Sequence, residues 1–143
     1  MLKRIMPHEL GTEDIDYYYQ ALATDEHSGG VDLVSKAIYD EHLQLWRWKT
    51  NACLMVVVTQ ILHKPDGFSE LLISMLAGTG GIHDWDEITT AFAEDPCREF
   101  YCDRVIAYVK ADSWEIFKNA GAGKGAEELF MVIGKEPNGR EDV

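Results

Sequence analysis

Apolar residues recur every three to four positions in two stretches near the start of the chain, which is the spacing of a helix with one buried face. The first stretch covers 12–22 and the second covers 31–38. The sequence His27-Ser28-Gly29-Gly30 interrupts the pattern between them. Acidic residues after Thr12 suit the positive end of a helix dipole. We therefore predict two short helices.

The pattern then changes to three apolar runs over 44–48, 53–63 and 68–77, separated by turn-forming residues. One turn, Lys64-Pro65-Asp66-Gly67, combines a proline that presets φ with a glycine that tolerates positive φ. Short turns between consecutive strands predict an antiparallel meander. The Val56-Val57-Val58 centre lacks polar alternation, so we expect that strand to be covered on both faces.

After Gly78-Thr79-Gly80-Gly81 the spacing becomes helical again, with Asp84 as the expected N-cap and an apolar stripe through Phe92. Pro96 either kinks this helix or begins a second one. Further along we predict a buried strand over 104–109, a short helix over 113–119 and a last strand over 128–135. The chain of 143 residues has no internal repeat or linker, so we expect one mixed α/β domain over 1–143.

The charge balance narrows the functional classes. Lys and Arg number 13 against 25 Asp and Glu, giving a net charge of −12, which disfavours nucleic acid or anionic lipid as a partner. No signal-peptide pattern opens the chain, and its longest apolar run is too short to cross a membrane. We expect a soluble cytoplasmic protein.

The cysteines Cys53, Cys97 and Cys102 are too few for a disulfide framework, and their spacing matches no metal motif. We therefore expect buried reduced thiols and no metal. Trp46 and Trp48 share one strand face, where they either pack in the core or form an aromatic patch for a protein partner.

The glycine loop 78–81 is the most informative local feature. A strand, glycines and a helix N-terminus present backbone N–H groups to one point, where a phosphate can bind. The alternative is a tight strand-to-helix turn without a ligand.

The order of these elements resembles the GCN5-related N-acetyltransferase (GNAT) superfamily. In that family the loop after strand four reads Gln/Arg-x-x-Gly-x-Gly/Ala, and residues 75–80 here match both glycines. The chain is also similar to small GNAT-like proteins encoded by bacteriophages, which share a Gly-Gly before the second helix and four further features: Gln44-Leu45-Trp46, a Val-rich third strand, Cys102-Asp103-Arg104-Val105 and Trp114. The resemblance covers about 12–135.

This resemblance implies an α/β (α+β) fold with a mixed, mostly antiparallel sheet flanked by helices and splayed between strands four and five. Acetyl-CoA would lie in the wedge, with its pantetheine on the strand edge. Its pyrophosphate would bind at the loop residues, Ala77, Gly78, Thr79, Gly80 and Gly81.

Three residues are candidates for the proton transfers that acyl transfer requires. Glu70 on strand four is either an activated carboxylate acting as a base or a side chain that faces water near the turn. His83 beside the loop is either a base or a solvated residue at a helix start, and Asp84 is a further candidate base. Tyr108 in strand five either replaces the family's acidic tyrosine or packs in the core.

The sequence also departs from the family pattern. Phe117 stands at the position of the family's catalytic tyrosine, and Met75 replaces the polar first residue of the loop motif. Asp84, Asp86 and Glu87 follow the glycines, and no basic residue follows them until Arg98. These acidic side chains would repel a pyrophosphate.

Two functional hypotheses follow. The first is an acetyl-CoA-dependent N-acetyltransferase acting on a basic amine. The second is a non-catalytic GNAT-like phage accessory or virion-associated protein that binds a protein partner, in the host cytoplasm or in the virion. A weaker third hypothesis, DNA mimicry, rests on the charge alone. The oligomeric state is left open.

Overall fold

The structure is a computed structural model that describes residues 1–23, 29–79, 85–110, 126–127 and 130–135. A short 3₁₀ helix, Pro7–Glu9, follows the first strand. The helices are α1 (Thr12–Ala23), α2 (Val31–Tyr39), α3 (Trp85–Ala93) and α4 (Asp95–Glu99). The strands are β1 (Leu2–Ile5), β2 (Gln44–Lys49), β3 (Leu54–His63), β4 (Ser69–Gly78), β5 (Arg104–Lys110), β6 (Ala126–Glu127) and β7 (Phe130–Lys135).

The described strands form one mixed sheet in the order β1-β2-β3-β4-β5-β7-β6. The pairs β1–β2, β2–β3, β5–β7 and β6–β7 are antiparallel, and β4–β5 is parallel. The parallel pairing joins Glu70–Leu72 to Arg104–Ile106, whereas β4 extends to Gly78 and β5 to Lys110. The two strands therefore pair over only the first part of each. The predicted meander and the strand over 104–109 are confirmed.

The first strand, β1, is an element that the hydrophobic pattern did not predict. It pairs with β2 from Leu2↔Trp48 to Ile5↔Leu45 and lies at the edge of the sheet. Two of its residues, Lys3 and Arg4, are charged, and only Ile5 is fully buried. Charges are common on edge strands because they discourage pairing with other chains. The same charges hide such a strand from a search for apolar runs.

The internal contacts divide the chain into two compact units, one drawn from Met1–Gln60 and Ile73–Gly81 and the other from Ile61–Leu72 and Ile82–Val143. In the first unit, α1 and α2 contribute to a hydrophobic cluster with strands β1 to β4. Its fully buried members include Tyr18, Val34, Ile38, Leu45 and Val58. The two N-terminal helices predicted from the sequence are thus confirmed. The single-domain organisation stays a prediction.

The central part of β3 is covered on both faces, as the sequence predicted. Val56, Val57 and Val58 are all inaccessible to solvent, although successive side chains point to opposite faces. Trp46 and Trp48 are buried as well, so the interpretation of an exposed aromatic patch is wrong. The indole N–H of Trp46 donates to Thr59 Oγ1 at 2.8 Å, and the Thr59 hydroxyl donates to Gln44 Oε1 at 2.9 Å.

In the second unit, α3 lies against β5 and β7 and buries Ile88 and Phe92 completely. Pro96 stands in the first turn of α4, so it begins a second helix rather than kinking the first. Cys97 and Cys102 are buried free thiols, as is Cys53 in the first unit, and this prediction is confirmed. A hydrogen bond with Cys97 holds the pKa of Cys102 below its ordinary value, against the opposing effects of burial and Asp103.

Candidate functional site

The end of β4 is the entry to the glycine loop, and it is fixed to the start of β3. The Thr79 backbone N–H donates to the carbonyl oxygen of Leu54 at 2.9 Å. In return, the Leu54 N–H donates to Thr79 Oγ1 at 3.1 Å. The Thr79 amide, one of the donors expected to bind pyrophosphate, is therefore already used within the protein.

Gly78 has a structural reason to be glycine. A Cβ atom at this position would lie 2.2 Å from the Leu54 carbonyl oxygen and 2.6 Å from Met55 Cα, and φ is +155°. The close approach of two backbones explains this glycine without a ligand. The other predicted loop residues, Gly80 and Gly81, lie outside the described residues, as do His83 and Asp84.

Two residues that precede the loop pack inward. Met75 is 5% exposed and belongs to the hydrophobic cluster of the first unit, and Ala77 is a partly buried neighbour of that cluster. The side chain at the first position of the loop motif is therefore a core residue here. This packing explains why the position holds Met rather than Gln or Arg, because an unpaired polar group there would be costly to bury.

Glu70 is buried in an ion-pair cluster at the start of β4. It is 2% exposed, so the interpretation that it faces water is wrong. Arg104 Nε donates to Glu70 Oε2 at 2.6 Å, and Arg104 Nη2 contacts the same oxygen at 2.5 Å. Lys64 Nζ lies 3.4 Å from the other carboxylate oxygen. Two cations therefore compensate this carboxylate in the second unit.

Other contacts hold this cluster in place. The Arg104 guanidinium lies over the Phe68 ring, 5.5 Å from its centroid. The Ser69 N–H donates to Asp103 Oδ2 at 2.7 Å, and the Asp103 N–H donates to the Ser69 carbonyl at 2.7 Å. These bonds fix the register at which β4 meets β5.

Tyr108, the candidate acid, lies in β5 opposite Val132 of β7. It is four residues beyond Arg104, which is level with Glu70, so about 13 Å of strand separates the two candidate residues. The structure does not bring their backbones together. Trp114 and Phe117 lie outside the described residues.

A second polar cluster, which the sequence did not predict, surrounds Asp14 at the start of α1. Asp14 Oδ2 accepts hydrogen bonds from Arg47 Nε at 3.0 Å, from Arg47 Nη2 and from the Gly11 N–H at 2.8 Å. Burial alone would raise the pKa of Asp14, but the Arg47 and Gly11 donors outweigh it and hold the pKa below its ordinary value. These residues line a cavity of about 460 Å³ with Thr12, Glu13, Lys49 and Leu54.

Two buried polar atoms among the described residues have no hydrogen-bond partner, Trp48 Nε1 and Ser74 Oγ. Ser74 is the one hydroxyl residue in the otherwise apolar run 71–77, and this was the feature of the sequence that could have drawn attention to it.

Among the described residues, no group of three or more His, Cys, Asp or Glu side chains could hold a metal ion. No helix there is long and apolar enough to span a membrane.

The mixed sheet, its parallel β4–β5 pair and the flanking helices define the fold of the GCN5-related N-acetyltransferases, and the chain has that fold. One similar structure is a spermidine N-acetyltransferase chimera from Vibrio cholerae and hSSAT, with a TM-score of 0.53, 10% identity and coverage of 94% of this chain and 93% of that one. Another is PseH of Campylobacter jejuni with acetyl coenzyme A, with a TM-score of 0.52, 13% identity and coverage of 95% and 99%.

A third similar structure is Arabidopsis thaliana Naa50 with the bisubstrate analogue CoA-Ac-MVNAL, with a TM-score of 0.50, 15% identity and coverage of 95% and 97%. No protein-family model matches the sequence, and no curated protein matches it. At these identities the likeness concerns the fold.

Proposed function

We propose that this protein is an acetyl-CoA-dependent N-acetyltransferase that acts on a basic amine. The observation that carries the proposal is the GNAT fold, with the order β4, glycine-containing loop and α3 preserved. Neighbours of this fold bind acetyl-CoA or a CoA-based bisubstrate analogue. The pyrophosphate of the cofactor would bind at the loop 77–81, where backbone amides and the helix dipole favour an anion.

The reaction is direct acyl transfer. The lone pair of the neutral amine attacks the thioester carbon, the new N–C bond forms, and the C–S electron pair leaves on sulfur. The amine loses one proton and the thiolate gains one, so the products are an acetylated amine and CoA with a free thiol. A positioned base and acid accelerate these two proton transfers.

The candidates for those transfers are Glu70, His83 and Tyr108. Glu70 is already paired with Arg104 and Lys64, and contact with a substrate amine would break these ion pairs. We therefore give His83 the role of base and Tyr108 the role of acid in the working mechanism. A His83→Gln variant should lower kcat and remove the loss of activity at acid pH that protonation of this base would cause.

A basic acceptor fits the charge of the protein. The net charge is −12, and exposed carboxylates lie near the starts of α1 and α2, namely Glu13 and Asp16 on α1 and Asp32 on α2. Negative potential raises the local concentration of a cationic substrate. One structural neighbour is named for spermidine, a basic amine. We infer that a polyamine or a lysine side chain is the acceptor.

Calorimetric titration of the folded protein with acetyl-CoA tests the proposal. We expect saturable heat at micromolar to millimolar cofactor and a loss of binding in Gly80→Glu, which adds a carboxylate to the proposed phosphate site. The control is Gly67→Glu, which adds the same charge at an exposed turn. Absence of heat with millimolar acetyl-CoA would exclude the enzymatic function.

The second candidate is a non-catalytic GNAT-like protein that binds a protein partner. It is favoured by the Thr79 amide, which is bonded to Leu54 rather than directed to a ligand, and by the acidic residues after the loop. Binding to a capsid or tail protein, in a preparation that does not bind acetyl-CoA, would support it. The relation to bacteriophage proteins stays a prediction.

A further inference from the structure

Two of the three cysteines, Cys97 and Cys102, lie at the two ends of one turn in the second unit. Both are buried, with 0% and 2% of their surface exposed, and neither is in a disulfide. The acyl transfer proposed above uses neither thiol. The Cys97 thiol donates a hydrogen bond to the Cys102 carbonyl oxygen at 3.2 Å, so the two residues are in direct contact.

The turn between α4 and β5 is a Schellman motif, and this motif is what brings the two cysteines together. The Cys102 N–H donates to the Cys97 carbonyl at 2.8 Å, and the Tyr101 N–H donates to the Arg98 carbonyl at 3.2 Å. Tyr101 has the left-handed backbone that the motif requires, with φ of +56°. The side chains at the ends of the longer hydrogen bond commonly touch in such turns. Here both of those side chains are thiols.

The backbone hydrogen bond brings the two residues within reach of a disulfide. A Cα atom lies about 2.4 Å from the carbonyl oxygen of its own residue and about 1.5 Å from its own nitrogen. With the 2.8 Å bond between Cys102 N and Cys97 O, the two Cα atoms are at most about 6.7 Å apart. Disulfides join Cα atoms separated by about 4.4 to 6.8 Å. Side-chain rotation can therefore bring the sulfurs together while the turn stays intact.

We propose that Cys97 and Cys102 are a redox pair that a peroxide converts into a reversible intramolecular disulfide. The Cys102 thiolate attacks one peroxide oxygen, which gives a sulfenic acid and hydroxide. The Cys97 sulfur then attacks the sulfenic sulfur, and the oxygen leaves as water. In total, two thiols and one peroxide give one disulfide and two water molecules. A dithiol reductant reverses the reaction by thiol–disulfide exchange.

The environment of Cys102 makes it the thiol that attacks first. A hydrogen bond with Cys97 holds the pKa of Cys102 below its ordinary value, against the opposing effects of burial and Asp103. The thiolate is the nucleophile in such reactions, so the thiol with the lower pKa is favoured. Peroxide reaches the buried sulfur when the turn opens locally. Tyr101 favours opening, because it is 89% exposed and a left-handed conformation is strained in any residue with a Cβ atom.

Oxidation fixes the end of α4 to the start of β5. Asp103 and Arg104 directly follow Cys102, and they hold the start of β4 through Ser69 and Glu70. The disulfide prevents the turn from opening, so this connection becomes harder to separate. We expect the oxidised protein to unfold at a higher urea concentration than the reduced protein. Disulfides of reducing compartments are often transient and redox-sensing, which fits a pair that is reduced at rest.

The experiment treats the full-length protein with hydrogen peroxide, alkylates the remaining thiols in denaturant and analyses the product by mass spectrometry. Before alkylation, the mass should fall by about 2 Da, the mass of the two hydrogen atoms lost. Peptide mapping should show Cys97 linked to Cys102, with Cys53 alkylated, because Cys53 is the only cysteine of the first unit. Cys53→Ser should keep the link, and Cys97→Ser should leave Cys102 as a sulfenic or more oxidised acid. A dithiol should restore all three thiols.

Two variants of Tyr101 test the opening of the turn. Tyr101→Gly removes the left-handed strain, whereas the control Tyr101→Ala removes the ring and keeps a Cβ atom. We expect the disulfide to form about fivefold more slowly in Tyr101→Gly than in Tyr101→Ala. Equal rates would show that the opening step is wrong.

Three results in the wild type would overturn the redox pair itself. The first is a disulfide that includes Cys53, and the second is separate sulfinic acids on Cys97 and Cys102. The third is three intact thiols after a treatment that oxidises the same chain unfolded in urea.

Discussion

The ion pair between Asp14 and Arg47 should contribute a large part of the stability of this protein. Asp14 is 4% exposed, and one of its carboxylate oxygens accepts bonds from Arg47 and from the Gly11 N–H. Arg47 also donates to the Glu9 carbonyl at 3.1 Å, so it joins α1, β2 and the preceding 3₁₀ segment. Replacing Arg47 with Met keeps most of the apolar stem and removes all of these donors.

The magnitude follows from leaving a buried charge without its partner. Removing one member of a buried ion pair costs about 3 to 5 kcal/mol. The Gly11 N–H still bonds to Asp14 in the variant, so we expect the lower value, about 3 kcal/mol for Arg47→Met. In a chain of this size, that corresponds to a fall in Tm of about 6 to 12 °C.

The assay is urea unfolding of the wild type, Arg47→Met and Asp14→Asn, followed by tryptophan fluorescence at several pH values. The pKa of folded Asp14 is depressed, so its contribution to stability is present above the pKa of an unfolded Asp, about 3.9. It is lost as the pH falls through the lower folded value. The advantage of the wild type over Asp14→Asn should therefore be constant above about pH 5 and should shrink in acid.

Two results would refute this reasoning. The first is a decrease of less than about 1 kcal/mol in the free energy of unfolding of Arg47→Met at pH 7, which is the effect typical of an exposed ion pair. The second is a difference between the wild type and Asp14→Asn that does not change from pH 7 to pH 3. Either result would show that solvent reaches the carboxylate in the folded protein.

Two further stability predictions use matched variants. In urea unfolding, Gly78→Ala should lower the free energy of unfolding more than Gly67→Ala, because a Cβ at position 78 would meet the Leu54 carbonyl oxygen. Gly67 has open space around it, so an alanine there is strained only by the φ of +87°. Equal decreases in the two variants would contradict the backbone contact at Gly78. Arg104→Met should destabilise the protein more than Glu70→Gln does. Arg104→Met leaves the Glu70 carboxylate, which is 2% exposed, without its main partner, whereas Glu70→Gln leaves Arg104, which is 40% exposed and can turn to water. The reverse order would be inconsistent with the burial of Glu70.

The hydrophobic pattern predicted most of the elements because their apolar runs are continuous. The helices over 12–22 and 31–38 and the three central strands all lie where the spacing placed them. The resemblance to the acetyltransferase fold is confirmed at the level of fold by the structural neighbours. The edge strand β1 was missed because its buried surface comes from Ile5, while Lys3 and Arg4 hide its apolar character.

The candidate site was harder to predict because its interactions join distant parts of the chain. Glu70 is a single charge on an apolar strand, and nothing near it in sequence reveals that Arg104 will lie beside it. Likewise, the bond from the Thr79 amide to Leu54 depends on the packing of two backbones. The loop motif indicates where amides are, but the hydrogen-bond partners of those amides follow only from the fold.

The two hydrogen bonds between Thr79 and Leu54 have a consequence for any ligand at the glycine loop. They hold the first residue after β4 in one conformation before binding, so that residue loses little further freedom when a ligand arrives. Ordering costs of this kind are subtracted from the affinity of a mobile loop. The Thr79 amide cannot bond to the ligand, and the affinity lost in this way is offset in part because the first loop residue is already ordered. Binding should then depend on the charge of the ligand more than on folding of the strand end.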